Sequence, residues 1–223
     1  MEKRTEGAWL INHTKKLLDI KDTYDFEDIE LAGKCGVFLS NLAASDEQSD
    51  LNADKVNAIA KVSNIKKTEI DTIKAKLEEA RLIESSQNGS ISVLGITTST
   101  VLTHTADIFE SGSTSNFQKA AIELADNISD LPKGEKILTE YISDSYKLSS
   151  TETGDLFMQA EDIGFIDYEK LDDSSKFYFN GNLFRRDGVE KTNAVLSSLK
   201  PEDTRKINEL YNTPRNLYHD LSK

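Results

Sequence analysis

The chain has 223 residues, 37% hydrophobic and 30% charged, with a formal net charge of -12 and a single cysteine, Cys35. That length supports one or two domains with real cores, and one cysteine excludes an intramolecular disulfide framework and fits a reducing cytoplasm. The acidic balance disfavours broad non-specific nucleic-acid binding, which needs cations to displace phosphate counterions; no run of about 18 apolar residues marks a membrane helix, and the charged N-terminus lacks the apolar core of a secretory signal.

Residues 6 to 20 read as a helix with Trp9, Leu10, Leu17 and Leu18 as its apolar side. A second helix is expected from about Phe26 to Ala44, carrying Phe26, Ile29, Val37, Leu39 and Leu42. Within it, Gly33 and Gly36 of "GKCG" lie one turn apart and let another helix approach closely. The same string lacks the G-x-x-x-x-G-K-[ST] order and preceding strand of a phosphate loop. "SDEQSDLNAD" (45 to 54) is polar and reads as a loop ending in a helix cap. "DKVNAIAKVSN" then gives a short helix with Val56, Ile59, Ala60 and Val62, stopping near Ser63 and Asn64. In "KKTEIDTIKAKLEEARLI", residues Ile70, Ile73, Leu77 and Ala80 form one stripe of a helical period. "LIESSQNGSISVL" supplies two short strand-like runs about Asn88-Gly89, a strong hairpin dipeptide.

Short helix, tight turn, longer helix and β-hairpin, in that order over residues 51 to 95, resemble the winged helix-turn-helix family. The order recurs in "EKILTEYISDSYKLSSTETGDLFMQAEDIGFIDYEKLDDSSKFYFNGNLF", where a strand pair surrounds Asp172-Asp173-Ser174. Shifting by 83 residues lays Ile59 on Ile142, Ile65 on Leu148, Ile73 on Leu156 and Ile83 on Ile166, which favours a tandem repeat. Between the repeats, two helices are expected, broken at "SGSTS", the best flexible point in the chain. After Asp187-Gly188, "VEKTNAVLSSLK" and "PEDTRKINELYN" read as two more helices, with Pro201 at a first helical position. The expected fold is mainly α (α+β): N-terminal helices (1–50), a first winged helix (51–96), linking helices (97–130), a second winged helix (131–187) and C-terminal helices (188–223).

No catalytic constellation is visible. His13, His104 and His219 lie far apart, without H-x₃-H or H-E-x-x-H spacing and with no cysteine near any of them. No metal or other cofactor is therefore expected. Cys35 reads as a small buried residue rather than a nucleophile, and His104 as helix surface or packing. Carboxylates are plentiful but form no recognisable acid–base pair, so the expectation is not an enzyme.

With the Ile70, Ile73, Leu77 stripe toward the core, the outward ridge carries Thr68, Asp71, Thr72, Ala75 and Glu79, flanked by Lys67 and Lys76. The winged-helix resemblance implies that the N-terminal half of this ridge enters the major groove of double-stranded DNA. Thr68, Asp71 and Thr72 would then meet base edges, with Lys66 and Lys67 on phosphates and Lys76 beside them. The first module has seven basic and six acidic residues, but its hairpin tip has no lysine or arginine. Residues 131 to 188 hold seven basic and twelve acidic groups. There the outward ridge carries Thr151, Asp155, Met158 and Asp162, and the wing offers Arg185 and Arg186 amid Asp172, Asp173 and Asp187. Such a face repels phosphate and suits a basic protein partner, or self-association involving the C-terminal helices. Two functions compete, the regulator being the first expectation and the adaptor its alternative. One is a dimeric, DNA-binding transcriptional regulator that uses the first module. The other is a non-enzymatic adaptor subunit that binds protein. A continuous positive stripe through Lys66, Lys67, Lys74 and Lys76 favours the regulator, and its absence favours the adaptor.

Overall fold

Apolar spacing of helical period, up to residue 163, becomes helix, and the runs about Asn88-Gly89 become a hairpin. The computed structural model describes residues 1–20, 25–45, 50–129, 131–172 and 175–182, with residues 200, 202, 205 and 206. The chain divides into two compact units, Met1–Leu183 and Phe184–Lys223, and every element below belongs to the first. In chain order these are α1 (Lys3–Leu17), α2 (Glu27–Ala43), α3 (Ala53–Val62), α4 (Ile70–Glu79), β1 (Ile83–Ser85), β2 (Ile91–Val93), α5 (Val101–Ser111), α6 (Asn116–Asn127), β3 (Lys133–Gly134), α7 (Glu135–Tyr146), α8 (Ser150–Ile163), β4 (Ile166–Asp172) and β5 (Ser175–Asn180). The molecule is thus mainly helical, with small antiparallel sheets. The helices expected after Gly188 lie almost wholly outside the described residues, as do Asp173, Arg185, Arg186 and Asp187.

Helices α1, α2 and α5 pack on one another. Two glycines of α2 set the approach. A Cβ on Gly33 would overlap Thr14 of α1 and come within 2.7 Å of the Leu10 carbonyl, and one on Gly36 would overlap Thr105 of α5. The close approach expected from "GKCG" therefore occurs on two sides, with Cys35 buried between them. Two residues expected on apolar faces are exposed instead. Val62 is the last residue of α3 and Ala80 follows the end of α4, so both sit where the chain leaves the helix and its buried side.

Both modules share one connectivity. After α2, Leu51 bridges Ile91 of β2, which pairs antiparallel with β1. After α6, β3 pairs with β5, and β5 with β4, in the order β3-β5-β4. Each module is therefore a helix, a short extended segment (a single bridge at Leu51 in the first, the two-residue β3 in the second), two helices and a hairpin whose second strand pairs with that segment. The 83-residue shift holds for the backbone as well. Asn64 and Lys147 both adopt φ 56°, and Arg81 (φ 57°) matches Gly164 (φ 82°). Leu82 N–H donates to the Leu77 carbonyl at 2.9 Å, and Phe165 N–H to Ala160 at 2.8 Å. A left-handed residue followed by such a long return bond is a Schellman-type helix end. It launches the hairpin in the same way in both modules.

Helix α1 fastens the modules together. Trp9 Nε1 donates to Asp126 of α6 at 3.1 Å, and Lys16 Nζ to the Gly181 carbonyl at 2.9 Å. His13 stacks on Phe165 with ring centroids 3.8 Å apart and faces Asn182. First-turn amides of a helix have no intrahelical partner, and those of α2 are met from the second module. Gln118 Oε1 of α6 accepts the Asp28 and Ile29 N–H groups at 2.9 and 3.0 Å. The break at "SGSTS", expected to be flexible, is a capped turn. Thr114 is buried and donates to the Phe109 carbonyl at 2.7 Å, while Ser115 caps α6. One apolar cluster runs from Trp9 and Leu10 through Ile73 and Leu77 to Leu156, Phe165 and Tyr178.

Candidate functional site

The turn between α3 and α4 places the expected cations. Asn64 reverses the chain in left-handed geometry, and Ile65 returns to the core. Lys66, Lys67 and Thr68 follow as an exposed turn before α4 rather than on the helix itself. Glu69 closes that turn: its N–H donates to the Lys66 carbonyl at 2.9 Å and its carboxylate accepts the Lys66 N–H at 3.0 Å. In the second module, Ser149 and Glu152 stand at the positions matching Lys66 and Glu69 and form a reciprocal capping box. Lysine has no acceptor to reciprocate, so α4 starts at Ile70 whereas α8 starts at Ser150, the counterpart of Lys67.

Lys61, Lys66 and Lys67 rim a groove of about 670 Å³ together with Asn57, Ala58 and Asn64. Its deeper wall is Ala60, Ile65 and Ile70. Among the described residues no carboxylate lines it, so an acidic chain concentrates three cations about an apolar floor.

The expected DNA-reading ridge has other neighbours. Asp71 and Thr72 are exposed on the first turn of α4, and Ala75, Glu78 and Glu79 are exposed further along. Thr68 and Thr72 line a cavity of about 160 Å³ on the α2 side, with Glu27, Glu30, Lys34 and Glu69 among its walls. There buried Lys34 lies 2.9 Å from Glu69 and also pairs with Glu30. Burial acts to lower the Lys34 ammonium, but its bonds to Glu30 and Glu69 outweigh burial and hold it above the usual lysine range. Burial likewise acts to raise Glu69, yet Lys34 and the Lys66 amide keep that carboxyl below its usual value. Lys76 lies 2.9 Å from Glu79, and that bond holds its ammonium up. Along Lys66, Lys67, Lys74 and Lys76 the positive charge is interrupted by Glu69 and Glu79.

In the second module Thr151, Asp155, Met158 and Asp162 are exposed on α8, Met158 to 60%. Sequence reasoning passed over two exposed apolar side chains on α7: Ile137, 68% exposed, and Tyr141, 45% exposed. They lie four residues apart and so stand one above the other on a helix face, with Glu140 and Asp144 beside them. The available signal was their displacement from the buried Leu138 and Ile142 stripe of the same helix. The Tyr141 hydroxyl donates to Glu123 at 3.1 Å. At the 83-residue shift, Lys61, Lys66 and Lys67 correspond to Asp144, Ser149 and Ser150, and Ala58 to Tyr141. The rim that is cationic in the first module is acidic and hydroxylated in the second.

Neither interior reactive side chain is poised for chemistry. Burial pushes the Cys35 thiol up to about 12, the reverse of what a nucleophile needs. Burial lowers His13 to about 3. Its Nε2, turned toward the Ala121 carbonyl, makes no hydrogen bond of normal geometry. Among the described residues no trio of His, Cys, Asp or Glu is placed to hold a metal, and no helix is long and apolar enough to cross a membrane. Comparison with known families, curated proteins and solved structures finds no match to the chain.

Proposed function

We propose that the chain is a non-enzymatic assembly subunit built from two tandem winged helices, whose second module binds protein. The tandem reading is supported by the connectivity and left-handed helix ends that recur at one shift. The observation that carries the function is the exposure of Ile137, Tyr141 and Met158 on α7 and α8 among carboxylates. Neighbouring exposed apolar side chains, as Ile137 and Tyr141 are one helical turn apart, are the usual anchors of an interaction surface when rimmed by charge, and acidic flanks oppose a phosphate backbone. Pull-downs with the wild type and with Asp155→Lys plus Met158→Ser test it. The expected result is that specific partners, identified by mass spectrometry, are lost from the variant while its melting is unchanged. Identical recovery by both proteins would sink the reading.

One observation favours DNA binding as a second reading, namely the rim of Lys61, Lys66 and Lys67 on a groove that no carboxylate lines, with Glu69 3.9 Å from Lys66 just outside it. On that reading the first module grips phosphates and the chain acts as a regulator. Lys66→Ala with Lys67→Ala would then weaken binding alike across sequences and flatten the salt dependence by about two phosphate contacts. Gel shifts over a salt series decide this, and an unchanged slope removes these lysines from the backbone.

A further inference from the structure

Resting on the protein-binding reading, we propose that one occupant of the α7 face is a second copy of this chain, which receives the Ile137–Tyr141 ridge in the groove between α3 and α4. The two surfaces are complementary in shape and sign. The ridge presents two large apolar side chains one helical turn apart, with Glu140 and Asp144 on the same face. The groove presents an apolar wall of Ala60, Ile65 and Ile70 beneath a rim of Lys61, Lys66 and Lys67. A phosphate backbone has no use for the apolar wall, whereas an apolar ridge with Glu140 and Asp144 along one flank uses both wall and rim, even with Lys136 3.9 Å from Glu140.

Ridge and groove are both exposed in the single chain, so this contact forms only between copies. It joins two different patches and is therefore heterologous. Each copy keeps a free ridge at one end and a free groove at the other, and growth continues unless the rotation closes a ring. Association displaces anything else held by the groove, DNA included. With a net charge of -12 the whole molecules repel at long range, so local pairing must overcome a general repulsion that salt screens.

Charge reversal on each surface provides the test, read by sedimentation velocity over a concentration series without DNA. The wild type is expected to form concentration-dependent species larger than a monomer. Lys61→Glu with Lys67→Glu makes the groove acidic against an acidic ridge. Glu140→Lys with Asp144→Lys makes the ridge basic against a basic groove. Each variant alone should associate at least about tenfold more weakly. Mixed together, every ridge again finds a groove of opposite sign, and association should return. Recovery on mixing excludes misfolding as the cause of the single losses. A wild type that stays monomeric throughout, or variants that associate as the wild type does, overturns the proposal. If the wild type is monomeric but Asp155→Lys with Met158→Ser still loses a partner, protein binding by the second module stands and only the self-contact falls.

Discussion

His13 is held neutral by its surroundings. It is fully buried, stacked on Phe165, bonded through Nδ1 to Asn182, and repelled as a cation by Lys16. The unfolded chain takes up a proton near pH 6.5, whereas the folded chain resists until about 3. Stability is therefore lost as the pH falls below 6.5, at a rate of up to about 1.4 kcal/mol per pH unit. Glu6 acts in the opposite sense. Burial, then the charge of Glu110, push it up to about 7, so its contribution is present at low pH and is lost as the pH rises from 4.5 toward 7. Urea unfolding at about pH 7.5 and about pH 5.5 should show a larger fall for the wild type than for His13→Gln. Equal falls would mean that His13 is not the buried neutral group described.

The two modules differ most at the start of their second helices. Ser149 and Glu152 cap each other's backbone, but at the matching positions Glu69 caps Lys66 without return. Lys66→Ser should complete the box, extend α4 toward its N-terminus and add about 0.5 to 1 kcal/mol of stability. Calorimetry showing no gain would place the short start of α4 elsewhere. Further along, Ile73 and Leu77 are fully buried, so either residue changed to alanine should cost about 2 to 5 kcal/mol, measured by denaturant unfolding. Wild-type-like melting would contradict that packing. The Ile73–Leu77 stripe was legible because a helix imposes its period on whatever it buries. The bridge at Leu51 and the edge strand Lys133–Gly134 were not, since one or two residues have no period. Lys66, Lys67, Asp71 and Thr72 were recognisable as surface from their polarity, while the Ile137–Tyr141 ridge, next to the buried Leu138 and Ile142 of the same helix, was missed.

Across the whole molecule, side chains of one module complete the other. Gln118 lies 90 residues from Asp28 yet accepts its amide and that of Ile29, and its own amide nitrogen donates back to the Asp28 carboxylate at 3.0 Å. Gln118→Ala strands those N–H groups, that of Ile29 buried and that of Asp28 partly so, and should cost about 1 to 3 kcal/mol, read by urea unfolding. Trp9, the sole tryptophan, sits on α1 with a bond to α6. Its fluorescence and the far-ultraviolet circular dichroism should therefore report one coincident transition. Separated transitions would show that the modules unfold independently despite α1.

The fastening by α1 also sets a timetable for the newborn chain. Helix α1 leaves the ribosome before the elements it fastens, and the Gly181 carbonyl that receives Lys16 is made 165 residues later. At ordinary rates of synthesis that interval is roughly ten to thirty seconds. Helices α2 and α5 can shelter one side of α1 early, whereas the side bearing His13 waits for Phe165 and Asn182. For that time the nascent protein carries an uncovered flank on α1, a natural foothold for a chaperone.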